Sequence, residues 1–210
     1  TVMNALAMQS ALEALGVHLD LGPDGVLHCL ETAGIGFCLA PRFHPAFRFA
    51  APSRREIGIP TVFNLLGPMA NPGRVRRQLI GVADAAFAER MVASLRSHGS
   101  IAAWVVHGNG LDELSTTGPS QVLELRDGET RSFTVDPVEY GLALVRQDQL
   151  AGGSPDQNAA AARAILAGNR GAHRDIVVLN AGAALVVAGR ADDLLDAVER
   201  RIGSRGVEHQ

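Results

Sequence analysis

Three sets of residues in this chain have types and spacing suited to chemistry. Arg54 and Arg55 are adjacent and open the stretch RREIGIPTVFNLLGPMANP (54–72). A guanidinium is a planar, permanently charged fork that grips a carboxylate or phosphate through parallel N–H donors. The alternative is that both side chains lie along apolar neighbours with their charged ends in water. Asp112 and Glu113 are also adjacent, follow Gly110, and can share a hard cation such as magnesium. The bland counterpart is a solvated surface pair, the usual state of acidic residues. His44 and His107 each follow an apolar run, where an imidazole can orient a substrate or move a proton. His44-Pro45 can equally be a helix-entry turn. No Ser-His-Asp or Cys-His order, no Gly-x-Gly-x-x-Gly and no Walker loop stands in the chain. Gly152-Gly153 precedes Ser154-Pro155 and reads as a helix entry rather than a phosphate cradle.

These residues need elements to hold them, and the apolar pattern supplies candidates. Met3, Leu6, Leu12 and Leu15 recur near helical spacing before Gly16. Pro23 begins a short helix that runs through Leu30 and ends near Gly34. IGFCLA (35–40) reads as a buried parallel strand, with PRFHP leaving its end. Residues 45–58 read as helical, with a break or restart at Pro52. QLIGVA (78–83) and AAWVVHG (102–108) are two further strand candidates, with a helix over 85–97 between them. Residues 121–136 alternate and turn at Asp127-Gly128, which predicts a hairpin. Ser154-Pro155 caps a helix to about Gly168, residues 176–188 form a buried helix, and a last amphipathic helix runs from Asp192 to about Arg200. The order predicts an α/β fold: three layers, a mostly parallel sheet flanked by helices, and one antiparallel hairpin. Residues 1–203 are expected to form one domain, with 204–210 a disordered tail.

Composition narrows the classes. Of 210 residues, 47% are hydrophobic but only 4% aromatic, so Ala, Val, Leu and Ile must build the core. The net charge of −3 offers no basic excess for nucleic acid. Arg74, Arg76 and Arg77 make a short cluster that suits a solvated loop rim or a small anion. Cys29 and Cys38 have no Cys-x-x-Cys spacing, and two reduced thiols in a cytoplasmic protein is the expectation. No apolar run reaches membrane-spanning length.

Several segments together resemble one family. APRFHPAFRFAAPSRREIGIPTVFNLLGPMANP (40–72), VVHGNGLDELS (105–115), AGGSPDQNAAAARAILAG (151–168) and RDIVVLNAGAAL (174–185) are similar, in order, to segments of anthranilate phosphoribosyltransferases; LEALGV (12–17) also fits. The resemblance implies the C-terminal α/β part of that enzyme, a fold shared with nucleoside phosphorylases. It implies that Arg54 faces the anthranilate carboxylate, that His44 and Phe47 line the same region, and that Asp112 and Glu113 hold Mg2+. Some relatives carry tyrosine at the place of Phe47. The implied reaction transfers phosphoribosyl from phosphoribosyl pyrophosphate to the anthranilate amine, in tryptophan biosynthesis. As pyrophosphate leaves, the ribose carbon becomes cation-like, so catalysis is positioning plus charge stabilisation and needs no nucleophilic side chain.

The family's Gly-Thr-Gly-Gly-Asp loop, Asn-x-Ser-Thr segment and Lys-His-Gly-Asn-Arg motif do not occur in these 210 residues. Nor does the N-terminal helical domain that makes the family typically homodimeric. The expectation is a chain with little or no transferase activity alone, prone to aggregate or to pair with another polypeptide. The alternatives are a non-catalytic fragment or interaction module, or a nucleoside phosphorylase-like relative.

Overall fold

Glycine, proline and capping residues set most of the element boundaries. The computed structural model describes residues 5–58, 66–67 and 69–203; the side chains of 5–7, 48, 51, 54, 55 and 200–203 fall outside that description. The chain divides into two units, one of residues Asn4–Arg74 and one of Val75–Gln210 with Thr1–Met3. The expected tail, 204–210, lies outside the described residues.

The first unit is helical. Helix α1 spans Ala5–Ala14 and α2 spans Pro23–Ala33. Pro23 sits in the first turn of α2, and Gly34 closes it in the left-handed region with φ of 73°. Helix α3 (Ala40–Phe43), a 3-10 turn (Pro45–Phe49) and helix α4 (Ala51–Ile57) follow. The helical break falls just before Pro52, which lies in the first turn of α4.

One expected strand is not there. Residues 35–39 join no ladder, and Ala40 already belongs to α3. A strand exists only where its backbone pairs with a neighbour. No described segment of the first unit pairs with this run, and all four strands lie in the second unit. Ile35 is 58% exposed, so the apolar side chains are not buried either.

The second unit holds a four-stranded sheet in the order β1-β2-β3-β4: Arg77–Gly81, Ala102–His107, Ser120–Arg126 and Glu129–Val135. Strand β1 pairs parallel to β2, with helix α5 (Ala88–Ser97) between them in the chain. The pairs β2–β3 and β3–β4 are antiparallel. The sheet is therefore mixed, with parallel pairing confined to β1–β2, because loop 108–119 reverses the chain. The predicted hairpin turn is present at Asp127-Gly128. Both residues have positive φ, 51° and 87°, which matches the twist of the flanking strands.

Alternation along β2 builds three layers. Ala103 and Val105 face α5, whose Met91, Val92 and Leu95 are buried. Ala102, Trp104 and Val106 face the other side. There they join a core with Leu179, Ala183, Val186 and Val187 of helix α7 (Ala172–Val187) and with Leu194, Ala197 and Val198 of α8 (Leu194–Gly203). Gly182 allows α7 and α8 to approach closely, since a Cβ there would sit 3.0 Å from Val198 and 3.1 Å from Leu194. Helix α6 (Pro155–Leu166) begins with the expected cap: Ser154 Oγ accepts the Gln157 N–H, and Gln157 Oε1 accepts the Ser154 N–H at 2.8 Å.

Candidate functional site

Strand β2 ends at His107, and the chain turns at once. Gly108 and Leu111 exchange two backbone hydrogen bonds of 3.0 and 2.9 Å around Asn109 and Gly110. Both turn residues have positive φ, 50° and 87°, and Asn-Gly is the pair that adopts this turn at least cost. Asp112 and Glu113 follow directly and are exposed, whereas Leu114, Ser115 and Thr116 are wholly buried. Partial burial first, and the neighbouring Asp112 charge second, push the Glu113 carboxyl above its ordinary range.

The backbone that carries the two acids is held from several sides. A Cβ on Gly81, the last residue of β1, would overlap the Asp112 carbonyl. A Cβ on Gly108 would overlap the Glu113 carbonyl and approach Ser115 N to 2.8 Å. Only glycine fits at either place. From α7, Asn180 accepts the Leu114 N–H at 2.9 Å and donates to the Leu114 carbonyl at 2.7 Å. Ser115 N–H donates to Ser120 Oγ at 2.9 Å, and Asn109 donates to Thr117 Oγ1 at 3.0 Å.

His107 does not join the acids. Its Nδ1 lies 2.9 Å from the Val82 carbonyl, an oxygen that can only accept, so Nδ1 carries a proton. The ring ties the ends of β1 and β2 together.

In the first unit, His44 follows α3 and leads into the 3-10 turn. Its carbonyl accepts the Phe47 N–H at 2.9 Å, and its ring stacks on that of Phe47 at 5.1 Å with 22° between planes. The helix-entry turn and the pairing of these two residues are thus one feature. Arg54 and Arg55 lie on α4, with their side chains outside the described part.

A family model described as glycosyl transferase family, a/b domain, matches residues 9–202. The chain belongs to this family.

Among curated relatives of this glycosyl transferase chain, the anthranilate phosphoribosyltransferase of Afipia carboxidovorans is 51% identical over 92% of the chain and 58% of its own length. That of Chelativorans sp. is 50% identical over 90% of the chain and 56% of its own length. The chain spans just over half the length of such relatives. The crystal structure of anthranilate phosphoribosyltransferase from Thermus thermophilus superposes with a TM-score of 0.84 at 40% identity, covering 90% of this chain and 56% of that one. The Saccharomyces cerevisiae enzyme, in complex with PRPP and Mg, has the same fold, with a TM-score of 0.81 at 24% identity over 94% of this chain and 58% of that one.

Arg76 and Arg77 of this glycosyl transferase domain have structural partners. Arg76 donates to the Gly99 carbonyl at 2.8 Å. Arg77 donates at 2.9 Å to the carbonyl of Val187, the last residue of α7, where a cation complements the helix dipole. Cys29 and Cys38 are both free. Among the described residues no helix is long and apolar enough to cross a membrane.

Two features escape a reading of residue types and spacing. Asn180 sits in an apolar helix, 66 positions from Leu114, and only its isolation as a polar residue in IVVLNAGAAL marks it. Glu124 is 2% exposed on β3. It accepts the Trp104 indole N–H at 2.9 Å and the Arg126 Nε–H at 3.0 Å, and it pairs with Arg131 across the hairpin. Burial alone would raise its pKa. The Trp104 and Arg131 hydrogen bonds and both arginine charges outweigh that and hold it below the usual carboxylate range.

Proposed function

We propose that this chain carries acceptor-binding residues and metal-binding residues of an anthranilate phosphoribosyltransferase. The observation that carries the reading is the exposed Asp112-Glu113 pair, on a loop whose backbone is fixed from β1 and α7. Relatives of that name, half identical across nine-tenths of the chain, support it.

The acidic pair suits Mg2+. Magnesium takes hard oxygen ligands, typically one or two carboxylates plus water and substrate phosphate, rather than a full protein cage. Asp112 and Glu113 offer that number, and no group of three or more His, Cys, Asp or Glu poised for a metal occurs among the described residues. A bound magnesium would take up charge on the departing pyrophosphate. The remaining roles belong to side chains. Arg54 pairs with the anthranilate carboxylate, while the stacked His44 and Phe47 rings offer an aromatic wall beside it. With Phe47 in place of tyrosine, that wall has no hydroxyl to donate. Direct displacement at a cation-like ribose carbon requires no nucleophilic side chain. Phosphoribosyl pyrophosphate also needs donors that the Gly-Thr-Gly-Gly-Asp and Lys-His-Gly-Asn-Arg motifs supply in the family. The working protein is cytoplasmic, and partner chains or further sequence complete the donor site and the dimer.

Anthranilate fluorescence tests this. The folded chain should bind anthranilate, and Arg54→Ala should remove about 1.5–3 kcal/mol of charge-assisted binding, roughly 10- to 150-fold in affinity. In a longer protein containing these residues, fluorescence should decay on adding phosphoribosyl pyrophosphate and Mg2+, and Asp112→Asn should slow that decay. Binding unchanged by Arg54→Ala would overturn the acceptor assignment.

A further inference from the structure

Asn180 stands one helical turn after Ile176 on α7, a helix that buries Ile176, Val178, Leu179, Ala183, Val186 and Val187. Its amide makes three hydrogen bonds: it accepts from the Leu114 N–H, and it donates to the Leu114 carbonyl at 2.7 Å and to the Ile176 carbonyl at 2.9 Å. Only an amide supplies a donor and an acceptor side by side, matched to both backbone groups of one residue. Leu114 itself is fully buried, so both groups need such a partner. It is also the residue directly after Glu113.

We infer that Asn180 is a positioning residue for the Asp112-Glu113 pair, an inference that rests on the metal reading proposed above. Leu114 is the point where the exposed acids re-enter the core. On the near side, Gly108 lies against the Glu113 carbonyl and Gly81 against the Asp112 carbonyl. These contacts stop the backbone from moving toward the sheet, but they cannot stop it from lifting away. The Asn180 amide supplies that second constraint, anchoring Leu114 to α7. Two carboxylates chelate one cation only if their backbones keep a fixed relation, so release of Leu114 loosens the pair without removing either charge.

Mn2+ alone is the probe, followed by paramagnetic broadening of backbone amide signals in the 15N-labelled chain. In the wild type, signals of residues 110–115 should broaden first, and Asp112→Asn should remove that effect. Asn180→Ala should weaken Mn2+ binding at least fivefold with both carboxylates intact. Asn180→Asp keeps the acceptor for the Leu114 N–H, loses the donor, and should fall between the two. Val186→Ala, a core truncation on the same helix, should lower the melting temperature while leaving Mn2+ affinity within twofold. A merely structural role would make Asn180→Ala and Val186→Ala behave alike, and that result overturns the inference. Should the Asn180 variants fail to fold, hydrogen exchange at Leu114 N–H in the wild type decides: protection equal to the β2 core supports the anchor, and rapid exchange removes it. No broadening of 110–115 in the wild type would instead overturn the metal reading, and the positioning role with it.

Discussion

The last residue of β1, Gly81, lies flush against the carbonyl of Asp112, leaving no room for even a methyl group between strand and loop. The acid reaches its place because a side chain is missing thirty-one positions earlier.

Gly81→Ala should therefore push the loop outward. Overpacking of this kind costs about 1–3 kcal/mol. Urea denaturation should show a lower midpoint with an unchanged slope, and Mn2+ binding should weaken in step. An alanine variant with wild-type midpoint and affinity would show that the loop yields freely and is not held by β1.

Glu113 carries a cost that the proposed metal role would explain. Its pKa is raised in the folded chain, so the folded state holds the proton more tightly than the unfolded state does. Stability then falls as pH rises from the ordinary carboxylate range through the raised value. Glu113→Gln should abolish that decline and leave stability at neutral pH equal or higher, while Mn2+ binding is lost. Urea midpoints measured at pH 4 and pH 7 check the first half, and metal titration the second. A glutamine variant destabilised only at pH 7 contradicts the assignment.

Glu124 behaves in the opposite sense. Its pKa is lowered, so its contribution is present above the ordinary carboxylate range and is lost as pH falls through the depressed value. Both arginine partners are well exposed, 47% and 68%, so neither is left as a buried charge when Glu124 is removed. The cost of Glu124→Leu is mainly the orphaned Trp104 indole N–H, about 1–3 kcal/mol. Glu124→Gln keeps an acceptor and should cost less, with a flatter acid limb in thermal melts. Equal losses in both variants would mean the indole is not the group that matters.

Ser154 caps α6 reciprocally with Gln157. Ser154→Ala should cost about 1 kcal/mol, and Ser154→Gly less. Thermal denaturation of the three chains ranks them; an alanine variant as stable as wild type would show that the cap adds nothing.

Local chemistry was legible in the sequence by itself. Ser154-Pro155, Asp127-Gly128, Gly34 and Pro23 each mark a boundary through a backbone preference that needs no distant partner, and the structure has a cap or turn at each. The Asp112-Glu113 pair stood out because adjacency along the chain suffices to make two carboxylates neighbours. Family membership was readable for the same reason, carried by long ordered segments. Pairing was not. IGFCLA has the composition of a buried strand, yet a ladder needs a second backbone that the described first unit does not provide. The parallel character of the sheet was likewise decided by how loop 108–119 turns, not by the apolar runs themselves. Glu124 looked like one polar position of an alternating strand, and only cross-strand register set Trp104 and Arg131 beside it. Asn180 lay unremarked in a run read only as a buried helix. The tertiary structure made it the anchor of Leu114, because hydrogen bonds act over about 3 Å of space and take no account of the 66 residues of chain between donor and acceptor.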